Sequence, residues 1–159
     1  MITVKQVLQD KGYPETWAIS PDATVYDALK LLSEKRVGAL PVLEAEKLVG
    51  ILSERDYARK VILKGKSSLN TPVREIMTEK VIAVHPEESI QECMEMMTNK
   101  RVRHLPVLAD DKLIGIISIG DILKEIISEQ EIFIRDLQDY IEGRGYSTSG
   151  KPATTVTSP

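Results

Sequence analysis

The sequence predicts an α+β protein built from two copies of one small unit, each with the order strand, helix, strand, strand, helix. The first observation is an internal repeat, because a shift of 65 residues places 18–62 on 83–127 without a gap. The second is that apolar residues change from helical to strand-like spacing in the same order in both repeats. The third is size, since a unit of roughly 50 residues buries too little surface to be stable alone. We therefore expect the two repeats to pack face to face around one shared core.

The repeat is clearest where the stretch GALPV…GILSERD matches the stretch RHLPV…GIISIGD. Ser53 falls on Ser118 and Asp56 falls on Asp121, and most of the other aligned pairs exchange one residue for a similar one. Chance does not keep two stretches of this length in register. The period of 65 residues is too long for a solenoid and indicates a tandem pair of small modules.

Each element of the first repeat has its own local signal. A short strand at 17–19 ends close to a proline, and the capping-box pattern that begins at Thr24 opens an amphipathic helix. Two short apolar strands around a polar turn follow, and a second helix is predicted at 54–63. The second repeat carries the same signals, with its first strand at 81–84 and its last helix at 120–128.

The segments outside the repeats are simpler. Val4, Val7 and Leu8 have the spacing of a short amphipathic helix. In the linker, Thr71 is predicted to cap a small helix that has Pro72 in its first turn. An apolar stripe after the second repeat indicates a closing helix, and the small polar residues that follow it indicate disorder. The predicted divisions are an N-terminal helix (1–15), a first repeat (16–65), a linker (66–79), a second repeat (80–128), a closing helix (129–143) and a disordered tail (144–159).

Composition and charge argue against several classes of protein. The 159 residues are 42% hydrophobic and 28% charged with a net charge of −3, so no basic excess favours nucleic acid. The apolar runs are too short for a membrane span, and we expect no secretory signal and no metal site. The single cysteine, Cys93, aligns with Ala28 on a helix face and favours a reducing cytoplasm. Since no nucleophile–base pair or phosphate-binding glycine loop is found, we expect no enzymatic activity.

The paired motifs GALPV…GILSERD and RHLPV…GIISIGD resemble the CBS domain, which is named after cystathionine β-synthase and occurs in tandem pairs called Bateman modules. The resemblance covers about residues 16–128, and the whole chain is similar to short stand-alone bacterial CBS-pair proteins. It implies two βαββα units related by pseudo-twofold symmetry, with an adenosyl ligand in the clefts between them. The ligands that the family implies are AMP, ADP, ATP, NAD and S-adenosylmethionine.

The resemblance assigns ribose binding to the serine–aspartate motifs, which are Ser53 with Asp56 and Ser118 with Asp121. One ionised carboxylate can accept hydrogen bonds from both adjacent ribose hydroxyls. The same residue types at the same spacing also form an ordinary capping box at the start of a helix. Both interpretations stay open from the sequence, and one residue can serve both purposes.

The resemblance places adenine in a slot formed by the first strand of each repeat and by the residues before each Pro-Val pair. The slot residues that it implies are Ile19, Val37, Gly38, Ala39, Val84, Val102, Arg103 and His104. Plain core packing is the alternative for the apolar members of this set.

Phosphate groups need positive charge, and here the two repeats differ. Arg55 aligns with Gly120 and Arg103 aligns with Gly38, so each arginine occurs in one repeat alone. The resemblance implies that the phosphates of one cleft are held partly by the opposite unit. We therefore expect both arginines to converge on the nucleotide whose ribose Asp121 holds, which makes that cleft the tighter one. The alternative for Arg55 is a solvated arginine on a helix surface.

The function predicted is a regulatory module that senses adenine nucleotides by changing its shape or its partner, with no catalytic cofactor. The ligand expected is AMP, ADP, ATP, NAD or a related adenosyl compound. The alternative is a protein-interaction scaffold whose nucleotide clefts are vestigial. We also expect a homodimer formed through apolar helix faces, and a regulated protein partner that the sequence does not identify.

Overall fold

The computed structural model of the chain describes residues 1–12 and 15–143. It divides into two compact units, of which the first is Met1–Ile122 and the second begins at Leu123. The first unit contains the first repeat and the second repeat as far as Ile122. The tail predicted to be disordered lies outside the described residues. The elements are α1 (Val4–Asp10), α2 (Val25–Lys35), β1 (Ala39–Glu44), β2 (Lys47–Ser53), α3 (Glu54–Lys60), α4 (Ile90–Lys100), β3 (His104–Ala109), β4 (Lys112–Ser118) and α5 (Ile119–Ile141). Two short 3₁₀ turns cover Ile62–Lys64 and Val73–Glu75.

The first helices of the two repeats, α2 and α4, match residue for residue. Each is 11 residues long and begins after a residue whose hydroxyl accepts a hydrogen bond from the backbone N–H three residues on. These capping residues are Thr24 and Ser89, so the predicted N-caps are confirmed. The bond from the backbone N–H of the capping residue to Asp27 or Glu92, which would complete the predicted capping box, is absent from both helices. Both helices end at an arginine in the left-handed region, Arg36 and Arg101, each with φ of 54°.

The strands form two antiparallel hairpins with the same register. β1 pairs with β2 and β3 pairs with β4, and each hairpin has a bulge directly after the Pro-Val pair. The turn of the first hairpin places Ala45 and Glu46 at φ of 50° and 64°. Positive φ at both central residues defines the type I′ turn, which matches the right-handed twist of the strands. The two hairpins, with α2 and α4, confirm the α+β fold of two equivalent repeats.

The first predicted strand of each repeat is reduced to one parallel bridge, Ile19 with Val42 in the first repeat and Val84 with Val107 in the second. Prolines explain why the pairing stops there. To extend the ladder before Ile19, the backbone N–H of residue 41 would have to donate, and to extend it after Ile19, that of residue 21. Both residues are prolines, which have no N–H. The same two prolines recur in the second repeat, so its bridge is limited in the same way.

Three helix predictions need correction. The two helices predicted at 120–128 and 129–143 are one continuous helix, α5, because no glycine or proline interrupts the chain between 121 and 141. The helix predicted at 54–63 ends at Lys60 and is followed by a 3₁₀ turn. Thr71 caps no helix, since its buried hydroxyl donates to the carbonyl of Ser67 at 2.7 Å. The linker has only the short turn after Pro72, which carries no side-chain cap.

Each repeat is completed by a segment from outside it. The buried cluster of the first repeat takes its members, among the described residues, from that repeat and from the linker residues Val73, Ile76 and Met77. This differs from the single shared core that the sequence predicted. The backbone N–H of Val73 donates to the carbonyl of Ala23 at 2.8 Å, which fixes the linker turn to the first repeat.

The N-terminal helix α1 packs against the second repeat as the linker packs against the first. The N–H of Val4 donates to the carbonyl of Glu88 at 2.8 Å, and Glu88 aligns with Ala23 in the repeat. Leu8 lies against Gly115, where an added Cβ would come within 2.8 Å of a Leu8 methyl. Val4 and Leu8 are 0% and 2% exposed, so α1 belongs to the core of the second repeat although it precedes the first.

Candidate functional site

The two serine–aspartate motifs join the end of a strand to the start of a helix. The N–H of Ser53 donates to Asp56 Oδ2 at 2.9 Å, and the N–H of Asp56 donates to Ser53 Oγ at 3.2 Å. The corresponding distances for Ser118 and Asp121 are 2.8 and 3.2 Å. Both motifs therefore make the reciprocal bonds of a capping box, which is one of the two roles that the sequence left open.

Capping uses only part of the Asp56 carboxylate. Its second oxygen, Oδ1, lies 3.1 Å from Lys60 Nζ and 3.5 Å from the hydroxyl of Thr78. Asp56 also lines a cavity of about 270 Å³, close to the lower end of the size of small-molecule sites. Each carboxylate oxygen can accept more than one hydrogen bond, so Asp56 keeps acceptor capacity for the hydroxyl groups of a ligand in addition to these contacts.

This cavity, which we name the Asp56 cleft, is formed by both repeats and by the linker. Its apolar surface includes Ala39, Ile51, Val81 and Val102. The lining also includes Gly38, 53–56, Thr78, 80–82 and 101–104. Since residues of both repeats reach the same cavity, a ligand in it would contact both repeats at once.

Positive charge is concentrated at the Asp56 cleft. Arg55, Arg59, Lys80, Arg101 and Arg103 line it, against the two acidic residues Glu54 and Asp56. The four arginines also line an adjoining hollow of about 470 Å³ that has no acidic residue in its lining. Within 1–12 and 15–143, no ion pair joins any of these arginines to a carboxylate. Unpaired guanidinium groups beside a cavity favour an anionic ligand.

The placement of Arg55 and Arg103 differs from the sequence prediction. Both were expected near Asp121, but they lie in the Asp56 cleft, whose lining does not include Asp121. Arg55 precedes Asp56 on the same helical turn, and the segment before β3 reaches this cleft from the second repeat. The two prominent arginines therefore accompany the aspartate of the first repeat.

Of the other predicted site residues, the Asp56 cleft brings together Ser53, Gly38, Ala39, Val102 and His104. Ile19 and Val84 do not line it. Val84 is fully buried and Ile19 packs against the core of the first repeat, so the core alternative describes them better. The cleft is lined instead by Thr78 and by 80–82, which include the first two residues of the strand predicted at 81–84. The role of the gathered residues in ligand binding stays a prediction.

Sequence reasoning missed several lining residues, among them Arg59, Thr78, Lys80 and Arg101. Arg101 had a visible signal, because the triplet Lys-Arg-Val occurs before the hairpin in both repeats. Thr78 had none, because nothing local to this linker residue indicates that it pairs with β2. The structure shows that pairing, in which Thr78 and Ile51 exchange two backbone hydrogen bonds of 2.9 and 3.0 Å.

His104 fills the space next to Gly38. A Cβ added at Gly38 would lie 3.2 Å from two atoms of the His104 ring, so glycine leaves the room that this ring occupies. Burial lowers the pKa of His104, and the nearby cations Lys11 and Arg103 lower it further, against an opposite effect of Asp121. His104 is therefore neutral at neutral pH and adds no positive charge to the cleft.

A second cavity, of about 230 Å³, occupies the corresponding place beside the second repeat. It is lined by Ile116 where the Asp56 cleft has Ile51, and Val37 lines it as well. We name it the Asp121 cleft after the neighbouring motif, whose carboxylate has a lysine partner, as that of Asp56 does. Lys11 Nζ lies 2.8 Å from Asp121 Oδ2 and donates to the carbonyl of Ile116 at 3.2 Å. Burial on its own raises the pKa of Asp121, but hydrogen bonds from Lys11 and Ser118 outweigh it and hold the pKa below its usual value.

The arrangement defines a class of protein. Two α+β repeats in the same register, joined by a linker and enclosing a polar cleft, form a tandem module suited to binding one small anionic molecule. Within the described ranges 1–12 and 15–143, no helix is long and apolar enough to cross a membrane. The same ranges contain no group of three or more His, Cys, Asp or Glu side chains placed to hold a metal ion.

Comparison with known proteins identifies the family. The CBS domain matches residues 14–63 and again residues 73–128. The CBS domain-containing protein CBSX3, mitochondrial, of Arabidopsis thaliana is 42% identical over 152 residues, which cover 91% of this chain and 73% of that protein. The chain therefore belongs to the CBS-domain family and carries two CBS domains in tandem.

Solved structures agree with this assignment. A protein with CBS domains from Burkholderia ambifaria MC40-6 has a TM-score of 0.77 and 50% identity, covering 80% of this chain and 96% of its own. The hexameric CBS-CP12 protein from bloom-forming cyanobacteria has a TM-score of 0.68 and 31% identity, covering 77% and 71%. Relatives of this family are typically regulatory and not catalytic, and CBS pairs commonly bind adenosyl ligands.

Proposed function

We propose that the chain is a regulatory module that binds an adenine nucleotide in the Asp56 cleft. The observation that carries the proposal is the composition of this cleft, which has a carboxylate, an apolar surface and five cationic side chains. These three features match the ribose, the base and the phosphates of a nucleotide. The proposal assigns the cleft a binding role and no reaction.

Each part of the ligand has a suitable partner. The Asp56 carboxylate accepts from the two ribose hydroxyls, and Ser53 stands beside it at the end of β2. The base lies between Ala39, Ile51 and the apolar residues of the second repeat. The phosphates extend toward the four arginines, which supply charge-assisted hydrogen bonds. This geometry favours AMP, ADP, ATP or NAD over adenosyl ligands without phosphate.

Regulation follows from the position of the cleft between the repeats. A ligand that contacts both repeats stabilises the arrangement in which those contacts are made. A change in the nucleotide pool would then shift the population of that arrangement and alter the surface offered to a protein partner.

Isothermal titration of the full chain against AMP, ADP, ATP, NAD and S-adenosylmethionine tests the proposal. We expect saturable binding of at least one phosphorylated member of this set, with a guanine nucleotide as the negative control. No heat with any of the five would contradict the proposal and leave the interaction scaffold as the better account.

Arg101→Ala should weaken binding of phosphorylated ligands by about tenfold or more, because a charged hydrogen bond contributes roughly 1.5–3 kcal/mol. Its matched control is Arg36→Ala. Both arginines end a helix at φ of 54°, so both changes have the same local backbone effect, but only Arg101 lines the cleft. Titration with ATP and with adenosine should show a loss for ATP alone. Equal losses from the two variants, or equal losses for both ligands, would remove Arg101 from the phosphate site.

We also propose that the chain forms a homodimer through the part of α5 beyond Ile122. This part of the helix carries large apolar side chains that are about half exposed or more. They are Leu123, Ile127, Ile132, Phe133, Ile134, Leu137, Tyr140 and Ile141. Exposed apolar surface of this extent marks an interaction surface, and a second copy of the chain is its expected occupant.

Light scattering at micromolar concentration should give twice the mass of one chain, and Ile127→Glu with Ile134→Glu should convert the dimer to a monomer. Tyr26→Glu is the control, since Tyr26 is 44% exposed but lies on α2. A wild-type chain that is monomeric at this concentration would contradict the proposal.

A further inference from the structure

The part of α5 from Leu123 onward carries a heptad pattern. Its apolar side chains recur at alternating spacings of four and three residues, which is typical of a helix that pairs with another helix along one seam. The seam positions are Leu123, Ile127, Gln130, Ile134, Leu137 and Ile141. The five apolar members are each exposed to 44% or more. A seam of this kind is complete when a second helix with the same spacing packs on it.

The two flanks of the seam differ in character. The residues that precede the three isoleucines of the seam form an apolar flank, which consists of Ile126, Phe133 and Tyr140. The residues that follow the other three seam positions form a polar flank, which consists of Lys124, Glu131 and Gln138. Phe133 and Tyr140 are 64% and 86% exposed, so the single chain leaves the apolar flank largely uncovered.

The direction of the second helix decides which flanks meet. In a parallel pair each flank faces the opposite flank of the partner, so apolar side chains would face polar ones on both sides of the seam. In an antiparallel pair each flank faces its own copy, so apolar side chains meet on one side and polar side chains on the other. The antiparallel direction therefore buries Phe133 and Tyr140 against apolar surface, which the parallel direction does not.

We infer that two chains pair through α5 in the antiparallel direction, with the twofold axis passing close to Phe133. The inference rests on the proposed homodimer and adds the direction and the register of the contact. The register that brings all six seam positions into contact pairs Ile127 with Leu137, Leu123 with Ile141 and Gln130 with Ile134 of the second copy. In this register the two copies of Phe133 lie beside each other on the apolar flank.

A parallel pair would have one advantage, because it would place Gln130 beside its own copy, where the two amides could form a hydrogen bond. One neutral hydrogen bond contributes less than the burial of three large apolar side chains from each chain. The antiparallel pair brings the two copies of Glu131 near each other, but on the polar flank, where salt and water screen their repulsion. The apolar flank therefore decides the direction.

Disulfide formation between single-cysteine variants tests the direction. The natural Cys93 is buried, so a cysteine added on α5 provides the accessible thiol. Ile127→Cys and Leu137→Cys are oxidised with diamide, each alone and as an equal mixture that has exchanged subunits under reducing conditions. We expect cross-linked dimers in the mixture and none in either variant alone. In an antiparallel pair the two copies of residue 127 are about 15 Å apart along the axis, which is too far for a disulfide.

Matched variants separate this contact from random collision. Glu129→Cys mixed with Arg135→Cys is the control, since these residues lie at the same level of the helix pair as Ile127 and Leu137 but on its outer face. This mixture should give no cross-link. Lys124→Cys mixed with Gln138→Cys leaves the seam intact and serves if the seam variants weaken the dimer. A short bismaleimide should join these two polar-flank variants in the mixture and neither variant alone.

The outcomes distinguish this inference from the proposed homodimer. Cross-links within each variant alone would indicate a parallel pair and would overturn the inference while the homodimer stands. Equal cross-linking in the control mixture would also overturn it. So would the absence of cross-links in seam and flank mixtures that light scattering shows to be dimeric. A wild-type chain that is monomeric at micromolar concentration would overturn both the inference and the homodimer.

Discussion

Asp56→Asn should lower the affinity of the chain for its nucleotide by about 100-fold or more, since two charge-assisted hydrogen bonds to ribose together contribute about 3 kcal/mol or more. Asparagine keeps the size of the side chain and one acceptor oxygen, so the capping contact with Ser53 is largely preserved. The variant loses the ionised carboxylate that accepts from both hydroxyls. Isothermal titration with the tightest-binding nucleotide measures the loss, and thermal melting without ligand checks the fold.

Asp121→Asn is the matched control for this variant. Asp121 occupies the equivalent position of the second repeat and makes the same capping contacts, but it does not line the Asp56 cleft. We expect its affinity for nucleotide to change by less than about threefold. The opposite order, with the larger loss at Asp121, would restore the expectation drawn from the sequence and contradict the placement of the arginines.

Leu8→Ala should lower the free energy of unfolding by about 2–5 kcal/mol, the usual range for a buried leucine. Leu8 is 2% exposed and lies on Gly115, so alanine leaves a cavity between α1 and β4. A loss of this size is a large fraction of the about 5–15 kcal/mol that stabilises a typical domain. Urea denaturation followed by far-ultraviolet circular dichroism measures it.

Two further substitutions, one at a methionine and one at a leucine, provide the scale for this result. Met77 occupies the equivalent place on Gly50 in the first repeat, so Met77→Ala should cost an amount in the same range. Leu69 is 62% exposed in the linker, and Leu69→Ala should cost less than about 0.5 kcal/mol. If Leu8→Ala cost no more than Leu69→Ala, α1 would not be part of the core of the second repeat.

Much of the fold could be predicted because its signals are local and occur twice. The capping residues Thr24 and Ser89 and the hairpins around the Pro-Val pairs depend on residues within a few positions of each other. A repeat in register also makes each weak local signal count twice. The shortened first strands were predictable in principle as well, because Pro21 and Pro41 remove the N–H groups that a longer ladder needs.

The candidate site was harder to predict because it depends on contacts between distant segments. The sequence identified both serine–aspartate motifs and both arginines, but not which aspartate the arginines accompany. That assignment depends on how the faces of the two repeats meet, which periodicity does not determine. The pairing of Lys11 with Asp121 spans 110 residues, whereas the lysine on Asp56 lies four residues further along the same helix, so the repeat itself gave no signal for Lys11.

The most direct test of the central claim is a crystal structure of the full chain grown with the nucleotide that binds most tightly in titration. We expect a ligand in the Asp56 cleft, with both ribose hydroxyls on the Asp56 carboxylate and the phosphates among Arg55, Arg101 and Arg103. A nucleotide whose ribose lies on Asp121, with the Asp56 cleft without ligand, would contradict the proposed site.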